Sequence, residues 1–214
     1  MGICNNRVVI ITGAGGGLGA AHAKVFAAEG ASVVVNDINE AAAQQVVNDI
    51  IAAGGKAVVN TSDITNYDDS LNAVKQAIDT YGDLHIVLNN AGVNRDRMFA
   101  SMTEAEWDTI MAVHLKGHFC ITSHAVHYWR GKSKEGKAVD ARIINTTSGA
   151  GLQGSVGQSN YAAAKAGIAA LTLNQGAELA RYGITANAVA PAARTNMTTA
   201  VEAMATRMAK PDDD

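Results

Sequence analysis

RVVIITGAGGGLGAAHAKVFAAEGASVVVND, residues 7–37, decides the fold. Val8, Val9, Ile10 and Ile11 form a β-branched run with no polar break, the pattern of a strand buried on both faces of a parallel sheet. Thr12 through Gly19 then turns the chain with glycine at 13, 15, 16, 17 and 19. Without Cβ atoms, successive N–H groups can close on a phosphate. Leu18, Ala21, Val25 and Phe26 recur at helical spacing, so a helix opens at this turn and aims its positive end there. Gly13, Gly16, Gly17, Leu18 and Gly19 are therefore candidate pyrophosphate contacts. Gly30 ends the helix and Ser32 to Asn36 gives a second buried strand. Asp37 falls at its C-terminal end, where a carboxylate can accept both ribose hydroxyls of an adenosine. Glycine runs also serve tight helix–strand packing. Strand, glycines, helix, strand and acid in this order within about 30 residues point instead to a dinucleotide.

Working outward, 214 residues suit one α/β domain, and no linker, repeat or low-complexity run divides residues 1–214. Apolar residues make up 48%, but no run approaches the ~20 needed to cross a bilayer, so no membrane partner is expected. A net charge of −3 without a basic cluster argues against nucleic acid. No basic start or apolar core precedes the first strand, so no signal peptide is expected. Cys4 and Cys120 lie far apart without CxxC spacing, which suits a reduced, cytoplasmic protein.

After Asp37, Asn39 caps a helix to about Ala53, Gly54-Gly55 breaks it, and Lys56 to Asn60 reads as a strand. Thr65 or Asn66 caps the next helix, to about Thr80, and His85 to Leu88 is a fourth strand running into Asn89-Asn90-Ala91-Gly92. Thr103 with Glu106 makes a capping box, followed by helix to about Tyr128. Residues 130–140 read as a solvated connection, Arg142 to Thr146 as a strand, Asn160 to Tyr182 as a helix and Ile184 to Val189 as a sixth strand. This alternation predicts a doubly wound, Rossmann-type parallel sheet in three α/β/α layers.

Ligands in such sheets lie beyond the C-terminal strand ends. The residues there are the glycine loop, Asp37, Asp63-Ile64, Asn90-Ala91-Gly92, Ser148 and Pro191. Taken alone, Asp63 reads as a helix cap, but its place in this series points to a ligand contact. Tyr161 and Lys165 are four apart on a predicted helix, hence on one face, with only alanines between. A phenol with a reference pKa near 10 needs a neighbouring ammonium to move protons at neutral pH. Lys165 can fill that role, and Ser148 can hold the same substrate oxygen. Taken alone, a Tyr and Lys at this spacing are an ordinary surface pair.

Thr12-Gly13-(three residues)-Gly17-Leu18-Gly19, Asn89-Asn90-Ala91-Gly92, Ser148 and Tyr161-(three residues)-Lys165 together resemble the short-chain dehydrogenase/reductase family, from Arg7 to about Met197. The resemblance implies NAD(P)-dependent oxidoreduction between an alcohol and a ketone. It implies Tyr161 as general acid/base and Lys165 as the group that lowers its pKa and holds the nicotinamide ribose, with Ser148 orienting the substrate. Asn90 to Gly92 would line the adenosine side, Pro191 to Thr195 would cover the nicotinamide, and the subunits would pair as a homodimer or homotetramer.

Three departures from the family pattern stand out. His114, in Val113-His114-Leu115-Lys116-Gly117, occupies the place of the family's usual Asn, which makes it a candidate catalytic residue with an altered proton relay. Pro191-Ala192-Ala193-Arg194-Thr195 replaces the usual Pro-Gly. With Asn94 to Phe99, both are similar to the (3R)-hydroxyacyl-CoA dehydrogenase part of peroxisomal multifunctional enzyme type 2, which implies an acyl thioester or steroid-like substrate. Thirdly, Met197 to Lys210 reads as one helix before Pro211, so the chain is expected to stop short of the family's seventh strand and to leave the sixth as an open edge.

His114 with His118, and His124 with His127, have ligand-compatible spacings. No HExxH motif or carboxylate cluster accompanies them, so no metal is expected. Two functions remain open: a working oxidoreductase that uses NAD, which Asp37 favours over NADP, and a dinucleotide-binding protein with little turnover.

Overall fold

The computed structural model describes residues 2–193, so expectations for Thr195 and for residues 197–210 lie outside it. Six parallel strands form its sheet: β1 (Val8–Thr12), β2 (Ser32–Asn36), β3 (Lys56–Asn60), β4 (Ile86–Asn89), β5 (Ala141–Thr146) and β6 (Ile184–Val189). Their order is β3-β2-β1-β4-β5-β6, as expected for a doubly wound sheet. The chain reverses its direction of winding between β1 and β4, and a crevice opens there at the C-terminal strand ends.

Alternation along the buried strands divides the core. Val9, Ile11, Val33 and Val35 pack on one face with Ala23 and Ala27 of α1 (Gly17–Ala28) and with Val46, Val47 and Ile50 of α2 (Glu40–Ala52). Val8, Ile10, Val34 and Ile143 meet the other face, covered by α3 (Tyr67–Tyr81), α5 (Gly117–Lys134) and the end of α7 (Ser159–Leu179). Helix starts follow the sequence signals. The side chains of Asn39 and Asn66 cap α2 and α3, and Thr103 with Glu106 forms the capping box of α4 (Glu104–Ile110).

Two segments depart from the sequence reading. Helix α5 continues past Tyr128 to Lys134 and does not give way to a loop at Arg130. Trp129 is the anchor: it is 1% exposed and its indole N–H donates to the Leu84 carbonyl at 2.7 Å. Lys132 then reaches Asp83 at 2.6 Å. These tertiary contacts outweigh the ~1 kcal/mol that Gly131 costs a helix. The other departure is a π-helical segment, Met111–Lys116, between α4 and α5. A short helix, α6 (Gly149–Gln153), also begins at Ser148.

Candidate active site

The glycine turn is shaped by what touches it. Asn90 donates through its amide to the carbonyls of Thr12 and Gly13 at 3.1 and 3.2 Å, and the N–H groups of Asn90 and Ala91 donate to the Thr12 hydroxyl at 3.0 and 3.1 Å. The loop after β4 thereby fixes the loop after β1. Gly13, at φ +62°, backs onto Ala91, whose Cα would lie 2.6 Å from a Cβ added there. A Cβ on Gly19 would lie 2.2 Å from the Gly13 carbonyl oxygen, so the helix can approach the strand this closely only with glycine. Gly16 is different: a Cβ there would touch nothing within 4 Å, and it caps α1 without a side-chain hydrogen bond. No acidic side chain occupies the first turn of α1. The opening N–H groups and positive dipole thus face outward at Gly16 and Gly17, which fits a pyrophosphate.

Asp37 follows β2 and accepts from the Gly15 N–H at 2.9 Å through Oδ2 and from the Asn39 N–H at 2.9 Å through Oδ1. Its carboxylate therefore borders the cradle. Asp63 accepts from the N–H and hydroxyl of Thr65 through Oδ1, both at 2.8 Å, in a local turn ahead of α3, whose cap is Asn66. Ile64 is buried against Gly117, where a Cβ would lie 2.8 Å from its Cδ1.

Ser148, Tyr161 and Lys165 meet where β5 ends and α7 begins. The Ser148 hydroxyl accepts from the Ala150 N–H at 3.2 Å, which fixes it at the start of α6. Gly151 lets α6 lie on α7: a Cβ there would sit 2.7 Å from the Lys165 Cβ and the Ala166 nitrogen. Lys165 is consequently only 2% exposed, with its ammonium donating to the Thr146 carbonyl at 2.6 Å and its own carbonyl accepting from the Thr147 hydroxyl at 2.7 Å. Burial lowers its pKa to about 7. Burial also raises the pKa of Tyr161, against a Ser148 hydrogen bond that lowers it and an Asp96 carboxylate that adds to the rise. The sequence reading expects Lys165 to lower this pKa; here the ammonium donates to Thr146 and the sheltering of the phenol from water raises it.

His114 is 1% exposed in the π-helical segment, with its ring edge-on to Tyr161 at 5.1 Å between centroids and 86° between planes. Its Nε2 lies 2.8 Å from the Val93 carbonyl oxygen and 3.1 Å from the Val93 nitrogen. Burial, then the Lys165 charge, lowers its pKa to about 4, so the ring is neutral at pH 7. His118 lies beneath it, also buried. The second spaced pair turns elsewhere, His124 to the Tyr67 carbonyl and His127 to that of Ser123, each at 2.7 Å. Among the described residues no group of three or more His, Cys, Asp or Glu could hold a metal.

Sequence reasoning missed a belt of buried asparagines at the strand ends. Asn36 bonds Asn60 at 2.7 Å, Asn89 bonds Asn145 at 2.9 Å and Thr122 at 2.8 Å, and Asn145 bonds Thr172 at 2.9 Å and Gln175 at 2.8 Å. Asparagine at or next to the last position of β2, β3, β4 and β5 was the available signal. The belt keeps the strand ends level beneath the crevice. The loop after β4 is likewise tied to the approach of α7, by Arg97 N–H to the Gly157 carbonyl at 2.7 Å and by Asn160 to the Arg95 carbonyl at 3.1 Å. Apolar side chains stand exposed on both sides of this tie: Met98 and Phe99 on one, Leu152 and Val156 on the other.

A family model described as short chain dehydrogenase matches residues 7–206. The chain belongs to the short-chain dehydrogenase family. Members of this family use a nicotinamide dinucleotide, NAD(H) or NADP(H), which agrees with the uncapped cradle. The chain is 50% identical over 201 residues to hydroxyacyl-CoA dehydrogenase ChsB1 of Mycobacterium tuberculosis, covering 91% of this chain and 63% of that protein. It is 41% identical over 204 residues to peroxisomal multifunctional enzyme type 2 of Mus musculus, covering 92% of this chain and 27% of that protein. A crystal structure of a short chain dehydrogenase from Mycobacterium avium is 58% identical and superposes with a TM-score of 0.89 over 92% of this chain and 71% of that one. No helix of the described residues is long and apolar enough to cross a membrane.

Proposed function

We propose that this short-chain dehydrogenase interconverts a secondary alcohol and a ketone with NAD, on a 3-hydroxyacyl-CoA or 3-oxoacyl thioester. The observation that carries the reading is the convergence of Ser148, Tyr161 and Lys165 beside the uncapped glycine cradle. The names of ChsB1 and of the multifunctional enzyme support the acyl-CoA class, as do the exposed apolar side chains of Met98, Phe99, Leu152 and Val156, which suit an acyl chain.

Gly13 through Gly19 would hold the pyrophosphate, Asp37 the adenosine ribose, Asn90 to Gly92 and Asp63-Ile64 the adenosine side, and Tyr161 with Lys165 the nicotinamide ribose. Pro191 and Thr195 would cover the nicotinamide. When bound, the nicotinamide supplies or accepts a hydride at the substrate carbon. In the reducing direction Tyr161 gives its phenolic proton to the carbonyl oxygen, and Ser148 donates a hydrogen bond to the same oxygen. In the oxidising direction Tyr161 takes the alcohol proton. Lys165, poised near pH 7 by burial, can return or remove that proton. His114 serves as a neutral ring that backs Tyr161. NADH oxidation by 3-oxoacyl thioesters tests this directly, and no turnover with any of them would contradict it.

Phe119 on α5 is exposed in a hollow that it lines with Met111, Leu115 and Leu171 of α7. A second copy of the chain covers this face in our reading, as a homodimer or homotetramer. Sedimentation at micromolar concentration should give at least a dimer, and a monomer would contradict it. The free thiols of Cys4 and Cys120 suit a cytoplasmic setting.

A further inference from the structure

Gly92 follows β4 in the loop that the sequence assigned to the adenosine. Its φ is not in the left-handed region, so its backbone does not demand glycine. What demands it is a single neighbour. A Cβ on Gly92 would lie 2.6 Å from Cε1 of His114, 3.2 Å from its Nδ1 and 3.4 Å from its Nε2, and these are the three nearest atoms. Real Cβ contacts are essentially never shorter than 3.0 Å, so a side chain at 92 must displace the imidazole. The ring has little room to yield. Its Nε2 is held 2.8 Å from the Val93 carbonyl oxygen, and the Tyr161 ring stands edge-on to it at 5.1 Å. A displaced ring therefore disturbs its edge contact with Tyr161.

We propose that Gly92 and His114 are a matched pair of positioning residues that set the place of the Tyr161 phenol: the absent side chain at 92 is the space the imidazole occupies, and the imidazole is the wall against which the phenol stands. The proposal rests on the reading of Tyr161 as acid/base. It assigns Gly92 to the reacting end of the site, acting through His114. It also explains how a residue as large as histidine is accommodated in a sealed pocket that is 1% exposed.

The matched pair predicts a specific failure of additivity. Gly92→Ala should lower kcat by up to about 10², as small misplacements of a reacting group do. Asparagine at 114 is shorter and lacks Cε1, so in a His114→Asn background the alanine at 92 should cost little, giving a large coupling between the two sites. Two readouts need no substrate. The imidazole nitrogen resonances of His114 should shift in Gly92→Ala, and the phenolate absorbance titration of Tyr161, taken as the difference from Tyr161→Phe in the same background, should move with them. If Gly92→Ala fails to fold, recovery of the fold in Gly92→Ala/His114→Asn supports the pair, and failure of both overturns it. Equal loss of kcat from alanine at 92 in both backgrounds, or unmoved His114 resonances, also overturns it. If the wild type turns over no thioester, the functional reading fails, while the resonances and the titration still decide the pair.

Discussion

The ammonium of Lys165 donates to the carbonyl oxygen of Thr146 at 2.6 Å while standing 5.5 Å from the centroid of the Tyr161 ring. One cation is thus shared between the end of β5 and the phenol, inside a pocket sealed by Gly151. The cost of keeping it there should be visible in stability.

An exposed lysine holds its proton to about pH 10.4, whereas burial lowers Lys165 to about 7. Between these values the unfolded chain binds a proton that the folded chain does not, so this group makes stability rise with pH, with a slope approaching ~1.4 kcal/mol per unit. Lys165→Met removes the slope. The methionine variant, without cofactor, should be the more stable near pH 7, and its advantage should shrink toward pH ~10. Urea unfolding across that range measures it, and a difference independent of pH would count against the sealed ammonium.

His118 is fully buried, and neither of its ring nitrogens meets a partner in good hydrogen-bond geometry. Burial, with the nearby Lys165 and His114 charges, holds its pKa well below the ordinary value. The unfolded ring takes up a proton near pH 6.5, so stability is lost as pH falls below that point, and His114, at about 4, adds to the loss. His118→Leu removes the buried titrating ring and should flatten the acid limb of the stability profile. An unchanged acid limb would contradict this account.

Asp37 places Oδ2 2.9 Å from the Gly15 nitrogen, at the mouth of the cradle. A 2′-phosphate would meet this carboxylate, and neither Ala14, Gly15 nor Gly16 supplies a cation to offset it. NADH should bind more tightly than NADPH, and Asp37→Ala should narrow the gap. Titration of both cofactors checks it, and tighter NADPH binding by the wild type would overturn the assignment of Asp37.

Local signals made most of the fold legible. The run Val8–Ile11, the caps Asn39 and Asn66, and the pair Thr103–Glu106 each act over a few residues, and each element formed where its signal stood. The extension of α5 was hidden because Trp129 finds the Leu84 carbonyl 45 residues away. The candidate trio of Ser148, Tyr161 and Lys165 was legible as spacing and order. What surrounds it was not: the Gly92–His114 contact, the Thr146 acceptor and the cover from Gly151 arise only when loops from different crossovers converge. The π-helical turn that presents His114 likewise has no signature in Met111–Lys116.

The central claim is that Tyr161 moves the proton. Its test is steady-state NADH oxidation with 3-oxoacyl thioesters, comparing the wild type with Tyr161→Phe and with NADH affinity measured in parallel. Phenylalanine keeps the ring against His114 and removes only the hydroxyl, so kcat should fall by at least the ~10² typical of a lost acid/base group while NADH still binds. Full activity in Tyr161→Phe would contradict the mechanism and leave the chain as a dinucleotide-binding protein.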